Sequence, residues 1–160
     1  MTHQQMYVSL TKSSQELRRY IQATFGVFPM IQLKDSSDSS TNQTFLNALS
    51  LHPSVYQFNV NDMRGFITIP TELTHWIVEE LMGMPVQSKQ SMMHEACTDS
   101  MVMDVFKENP IINDPQSIDI STIWVHPTFD RFLHMTMAII KSNDSVFEIS
   151  FFLPKGVQND

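Results

Sequence analysis

The chain has 160 residues, 42% of them hydrophobic and 17% charged, the proportions of a soluble globular protein with a core rather than of a disordered one. Its 10 basic and 17 acidic side chains leave a formal charge of −7, which repels phosphate backbones and weighs against nucleic-acid binding. The longest apolar run, around Met137–Ile140, is far short of the ~20 residues of a bilayer span, and no basic amphipathic helix suits a membrane surface.

In chain order, Ser13-Ser14-Gln15-Glu16 reads as a capping box opening a helix over Ser14–Phe25, with Leu17, Tyr20, Ile21 and Thr24 on one face. Gly26 and Pro29 stop it. Residues Asp35 to Gln43 carry no apolar side chain and read as a solvated loop. Val55, Tyr56, Phe58 and Val60, followed by Gly65–Ile69, read as a hairpin turning at Asn61-Asp62. Pro70 ends the second strand and Thr71 is placed to cap the next helix, whose stripe is Leu73, Ile77 and Leu81 with Trp76 alongside. Gly83 and Pro85 close that helix.

A third helix is expected over Ser88–Glu108, ended by Asn109-Pro110. Met92, Ala96, Met103 and Phe106 would face inward, and Glu95, Thr98, Asp99 and Val102 would share the opposite face. Ile118–Val125 then reads as a strand. Phe132–Lys141 and Val146–Leu153 form a second hairpin, with Phe147, Ile149, Phe151 and Leu153 on a buried face. Phe152 implies that the other face is partly covered as well. Strands arriving in hairpins give an α+β fold, a mainly antiparallel sheet with three amphipathic helices packed on one face, in one domain spanning residues 1–160.

Most chemical constellations fail on spacing. His94-Glu95 begins like a zinc-protease helix, but Thr98 stands where the second histidine belongs, and the six histidines are scattered, so no metal is expected. Four glycines leave no phosphate-cradling loop, and no cofactor is expected. The lone Cys97 excludes an internal disulfide and, among carboxylates, makes a poor nucleophile. With no signal-peptide pattern in the opening residues, it fits a cytoplasmic protein. Glu95 and Asp99, one turn apart, read as a solvated face or as an acid/base or metal pair. The twelve methionines fall mostly at core positions.

The segment Gly65-Phe-Ile-Thr-Ile69-Pro70, the helix ending Glu80-Leu-Met-Gly83-Met-Pro85, and then Ser91-Met-Met-His-Glu95-Ala-Cys-Thr98 resemble the CheC/CheX family of chemotaxis phosphatases. The likeness covers the order and spacing of elements from the first helix to the last hairpin. It implies dephosphorylation of CheY-type response regulators, in which a Glu-x-x-Asn helix docks. The Glu engages a lysine of the regulator, and the Asn aligns water with the aspartyl phosphate. Here Glu95 matches the Glu, Ser91 matches a residue often found four positions earlier, and Thr98 occupies the Asn slot, with Asp99 beside them on the partner-binding face. Thr98 is shorter than an amide and β-branched, so the resemblance implies weakened or lost activity. The same fold resembles the middle domain of the flagellar switch protein FliM, which leaves a non-enzymatic adaptor as the alternative. An exposed sheet edge would also allow a homodimer.

Overall fold

Among the described residues, six strands build one sheet and three helices close it. A computed structural model of the chain describes residues 3–35, 47, 54–60, 63–85, 92–119, 133–142 and 145–153. The elements run α1 (His3–Phe25), β1 (Met30–Asp35), β2 (Ser54–Val60), β3 (Met63–Ile69), α2 (Thr71–Met82), α3 (Met92–Phe106), β4 (Asn113–Ile118), β5 (Leu133–Ser142) and β6 (Ser145–Leu153). Every strand pair is antiparallel, in the order β1-β5-β6-β3-β2-β4. The fold is therefore α+β, as expected, with both hairpins in place.

Register decides which side chains meet the helices. Directly opposed residues share a face, so Ser117, Tyr56, Ile67, Phe151 and Met135 form one row across β4, β2, β3, β6 and β5. The parallel row Phe147–Ile139–Ile31 and the row Ile149–Met137–Leu33 continue this face. Against it pack Met6, Leu10, Leu17 and Ile21 of α1, Leu73, Trp76 and Ile77 of α2, and Met101, Val102, Val105 and Phe106 of α3. Each such side chain, fully buried, contributes about 1.5–3 kcal/mol of transfer free energy. The opposite face is also covered: Thr68, Ser150 and Thr136 form a buried polar row, and Phe152 is fully buried with its ring stacked on His134 at 4.7 Å.

Gly65 stands opposite Phe58 in the β2–β3 pair, and the phenyl ring lies across it. A Cβ there would sit 2.4 Å from Phe58 Cζ and 3.0 Å from the Phe152 carbonyl oxygen. Only glycine admits that ring to the core.

The structure corrects several boundaries. α1 begins at His3, and Ser13 is no cap: it lies mid-helix in the buried stripe Met6, Leu10, Ser13, Leu17, Ile21 and accepts a hydrogen bond from Asn109 Nδ2 at 2.7 Å. Tertiary burial, not local capping chemistry, sets that helix's start. Pro70, not Thr71, is the N-cap of α2, its carbonyl accepting from Leu73 and Thr74 N–H. Leu81 is exposed past the end of the core, while Gly83 closes the helix in the left-handed conformation, φ 69°, donating to the Glu79 carbonyl at 2.9 Å. The fourth strand is Asn113–Ile118, ending where the expected one would begin. Asp35, the first residue of the expected loop, ends β1, while residues 36–43 of that loop, residues 61–62 of the expected turn and residues 120–125 lie outside the described set. β1 was not foreseen in the pattern.

Candidate functional site

α3 carries apolar residues on both faces, so its periodicity leaves the phase open. Phe106 is buried and Glu95 and Asp99 are exposed as expected, but Met92, Ala96, Met103, Thr98 and Val102 lie the other way from expectation. His94, Thr98, Met101, Val102 and Val105 face the core, whereas Met92, Ala96 and Met103 are exposed. Met92 is 86% exposed and Thr98 only 1%. Thr98 therefore does not project beside Glu95. Its hydroxyl lies 2.7 Å from the His94 carbonyl oxygen and 2.9 Å from Thr74 Oγ1 of α2, so the group is satisfied inside the helix–helix contact. A threonine three positions after an exposed glutamate has turned 300° around the helix; with a buried partner hydroxyl waiting, it falls on the inner side of the boundary.

Glu95 is exposed, as expected, and Asp99 one turn later shares its side of the helix. Both carboxylates look into a cleft of about 520 Å³ between α3 and the β2–β4 edge of the sheet, lined also by Ser54, Tyr56, Ser117, Ile118 and Asp119. The sheet supplies these residues by alternation. Ser54 and Tyr56, two apart on β2, share the helix-side face, and Ser117 stands directly opposite Tyr56. Tyr56 is almost fully buried, and its hydroxyl donates a hydrogen bond to Asp99 Oδ1. Burial first, then the hydrogen bond with Asp99 and the charges of Asp99 and Glu95, push the phenol far above its usual range. It stays protonated and acts as a fixed donor that orients the Asp99 carboxylate.

The structure thus brings together Glu95 and Asp99 and separates Thr98 from them. Ser91 lies outside the described residues. Tyr56, Ser54, Ser117 and Asp119 were missed: nothing in an alternating strand announces which polar residue will reach a helix carboxylate. Cys97 is half-buried, and burial pushes its thiol up, away from nucleophilic character.

Chemically, the described residues of the cleft offer carboxylates and hydroxyls and, among them, no cationic or amide side chain. It suits an ammonium or guanidinium group and repels a phosphoryl anion. Along the exposed side of α3 the sequence Met92, Glu95, Ala96, Asp99, Met103 alternates apolar and acidic positions at helical spacing. Among the described residues no group of three or more His, Cys, Asp or Glu could hold a metal ion. No helix among them is long and apolar enough to cross a membrane.

No family model and no curated protein sequence matches the chain. Solved structures do. The FliM middle domain from H. pylori superposes with a TM-score of 0.66 at 18% identity, over 96% of this chain and 94% of that one. The FliG–FliM complex from H. pylori gives 0.65 at 14% identity, over 96% and 94%. The CheX–CheY–BeF3–Mg complex from Borrelia burgdorferi gives 0.51 at 9% identity, over 92% and 97%. The architecture built here from register and burial is the fold shared by CheX-type chemotaxis proteins and the FliM middle domain.

Proposed function

We propose that this chain is a docking module of chemotaxis or flagellar signalling that binds a CheY-type receiver domain in the cytoplasm through the exposed side of α3, without accelerating loss of the receiver's phosphate. The observation that carries the reading is the split of the expected pair: Glu95 and Asp99 open to a partner, Thr98 withdrawn against Thr74. Glu95 would receive a lysine of the partner, and Asp99, held by Tyr56, a second basic group. Met92 and Met103 at the two ends of the stripe supply adaptable apolar contact. The likeness in fold to a CheX solved with CheY and to FliM solved with FliG supports a partner-binding role over an enclosed active site.

Catalysis on an aspartyl phosphate needs a group that aligns water without adding negative charge. The groups facing the cleft from α3 are carboxylates, so the adaptor reading is preferred to the phosphatase one. The test is direct. A phosphorylated receiver is mixed with wild type, Glu95→Ala and Asp99→Asn, and both binding and phosphate release are followed. Saturable binding lost in Glu95→Ala, with an unchanged phosphate lifetime, supports the proposal; wild-type acceleration of phosphate release sinks its non-catalytic half.

Self-association belongs to the same reading. Among the described residues β1 is the outer strand of the sheet, with Met30 exposed on it, and a second copy adding there would satisfy its edge backbone groups. Sedimentation of wild type against Met30→Lys, which places a charge on that edge, tests this.

A further inference from the structure

The contact between α2 and α3 contains two histidines that the docking reading does not use. His75 Nδ1 and His94 Nε2 lie 3.1 Å apart, and on the far side of the first ring His75 Nε2 lies 2.7 Å from Glu79 Oε1. The rings are within 6° of coplanar, with centroids 5.4 Å apart. That separation is the nitrogen–nitrogen distance plus the two ring radii, so the imidazoles meet end to end. An ion on that line would sit at half of 3.1 Å from each nitrogen, well inside the ~2.0 Å of a zinc–imidazole bond. The geometry is that of an N–H···N hydrogen bond.

Its hydrogen can be assigned. A carboxylate only accepts, so His75 Nε2 carries a hydrogen toward Glu79; neutral His75 Nδ1 then presents a lone pair, and His94 Nε2 donates to it. One added proton is accommodated, because His75 as imidazolium pairs with Glu79 while the His94 tautomer reverses. A second added proton leaves N–H facing N–H between two cations. We propose that this pair is a proton-operated latch: one hydrogen between the rings holds α2 to α3, and full protonation parts them. Only acid–base exchange with solvent is involved.

The surroundings set the direction. On α2, Glu79 faces the pair, Glu80 accepts from Trp76 Nε1, and Glu72 is exposed in the first turn. On α3, Glu95 and Asp99 turn to the cleft, and Cys97 and Asp104 act on Tyr20 of α1, the other helix packed here. His94 is 4% exposed, and desolvation, followed by the neighbouring His75, makes it harder to protonate than an ordinary histidine. The folded chain therefore binds fewer protons than the unfolded one below the usual histidine midpoint of about 6.5. The latch's contribution is present above that pH and is lost as pH falls. Because His94 adjoins Glu95, the parting of the helices would move the exposed stripe as well.

The latch is independent of whether α3 docks a receiver, and its test needs no partner. In 15N-labelled wild type at pH 7.5, NMR should show a through-hydrogen-bond N–N coupling between His75 Nδ1 and His94 Nε2. On acidification the coupling should vanish. In denaturant titrations, the folding equilibrium constant of wild type should fall more steeply below about pH 6.5 than that of His94→Gln, by up to tenfold per pH unit for one differential proton. Absence of the coupling at pH 7.5, its persistence on acidification, or equal pH slopes in wild type and variant would each overturn the proposal.

Discussion

Asn109 is the residue on which the placement of α3 against the rest of the fold most visibly depends, and its removal has a magnitude that the structure allows one to work out. Its Oδ1 accepts from Ser9 Oγ at 2.8 Å, Ile111 N at 2.9 Å and Ile112 N at 2.8 Å, while Nδ2 donates to Ser13 Oγ at 2.7 Å and the Ser9 carbonyl at 3.2 Å. One amide thus ties α1 to the chain leaving α3 and aims it into β4, the strand that supplies Ser117 to the cleft. In Asn109→Ala the serine hydroxyls can rotate to helix carbonyls and recover most of their loss. The Ile112 N–H, beneath a fully buried side chain, cannot; it carries about 1–3 kcal/mol of desolvation, and half-buried Ile111 adds about 1 kcal/mol. A loss of about 3 kcal/mol follows, or a fall in Tm of about 6–12 °C for a domain of this size. Asn109→Asp keeps the triple acceptor but buries a charge and turns an oxygen toward the Ser9 carbonyl, so it should not restore wild-type stability. Urea denaturation at pH 7 measures both. A variant Asn109→Ala within about 0.5 kcal/mol of wild type would refute the reasoning, because it would mean those N–H groups find other partners at no cost.

Other outcomes follow from single contacts. Gly65→Ala should destabilise by about 2–3 kcal/mol through collision with the Phe58 ring, and Gly65→Ala/Phe58→Leu should be more stable than the two single effects summed, read by the same denaturant series. Thr98→Asn should lose about 1–3 kcal/mol by forcing an amide into the α2–α3 contact and should gain no phosphatase activity; a gain would restore the catalytic reading. Tyr56→Phe should leave the fold intact within about 1–2 kcal/mol yet weaken receiver binding, because Asp99 loses its orienting donor. Cys97, with its thiol pushed up by burial, should alkylate at pH 8 at least about tenfold more slowly in the native protein than in urea, followed by mass spectrometry.

The fold was legible where two signals coincided. The β2–β3 and β5–β6 hairpins had alternation and turn residues together, and the end of α2 had Gly83 and Pro85 in sequence. Where one signal stood alone it misled. Ser13 and Glu16 have the spacing of a cap, but a stripe of buried residues from Met6 onward extends α1 past it. In α3, Met92, Ala96 and Met103 on one side and Met101, Val102 and Val105 on the other made both phases plausible, and the one adopted was fixed by partners far away in sequence: Thr74 for Thr98, and His75 for His94. The exposure of Glu95 and Asp99 was legible because charge keeps to the surface. Tyr56 and Ser117 were not, because their meeting with α3 depends on strand register, which local sequence does not carry.

The account turns on α3 docking a receiver through its carboxylates while leaving the phosphate alone. Calorimetric titration of a phosphoryl-mimic-activated receiver into wild type and Glu95→Ala/Asp99→Asn, paired with phosphate release from the genuinely phosphorylated receiver, measures both parts at once. The prediction is saturable binding weakened at least about tenfold in the double variant, a difference of about 1.4 kcal/mol, with one phosphate lifetime throughout. Binding indifferent to both carboxylates, or a phosphate lifetime shortened by the wild-type protein, would contradict it.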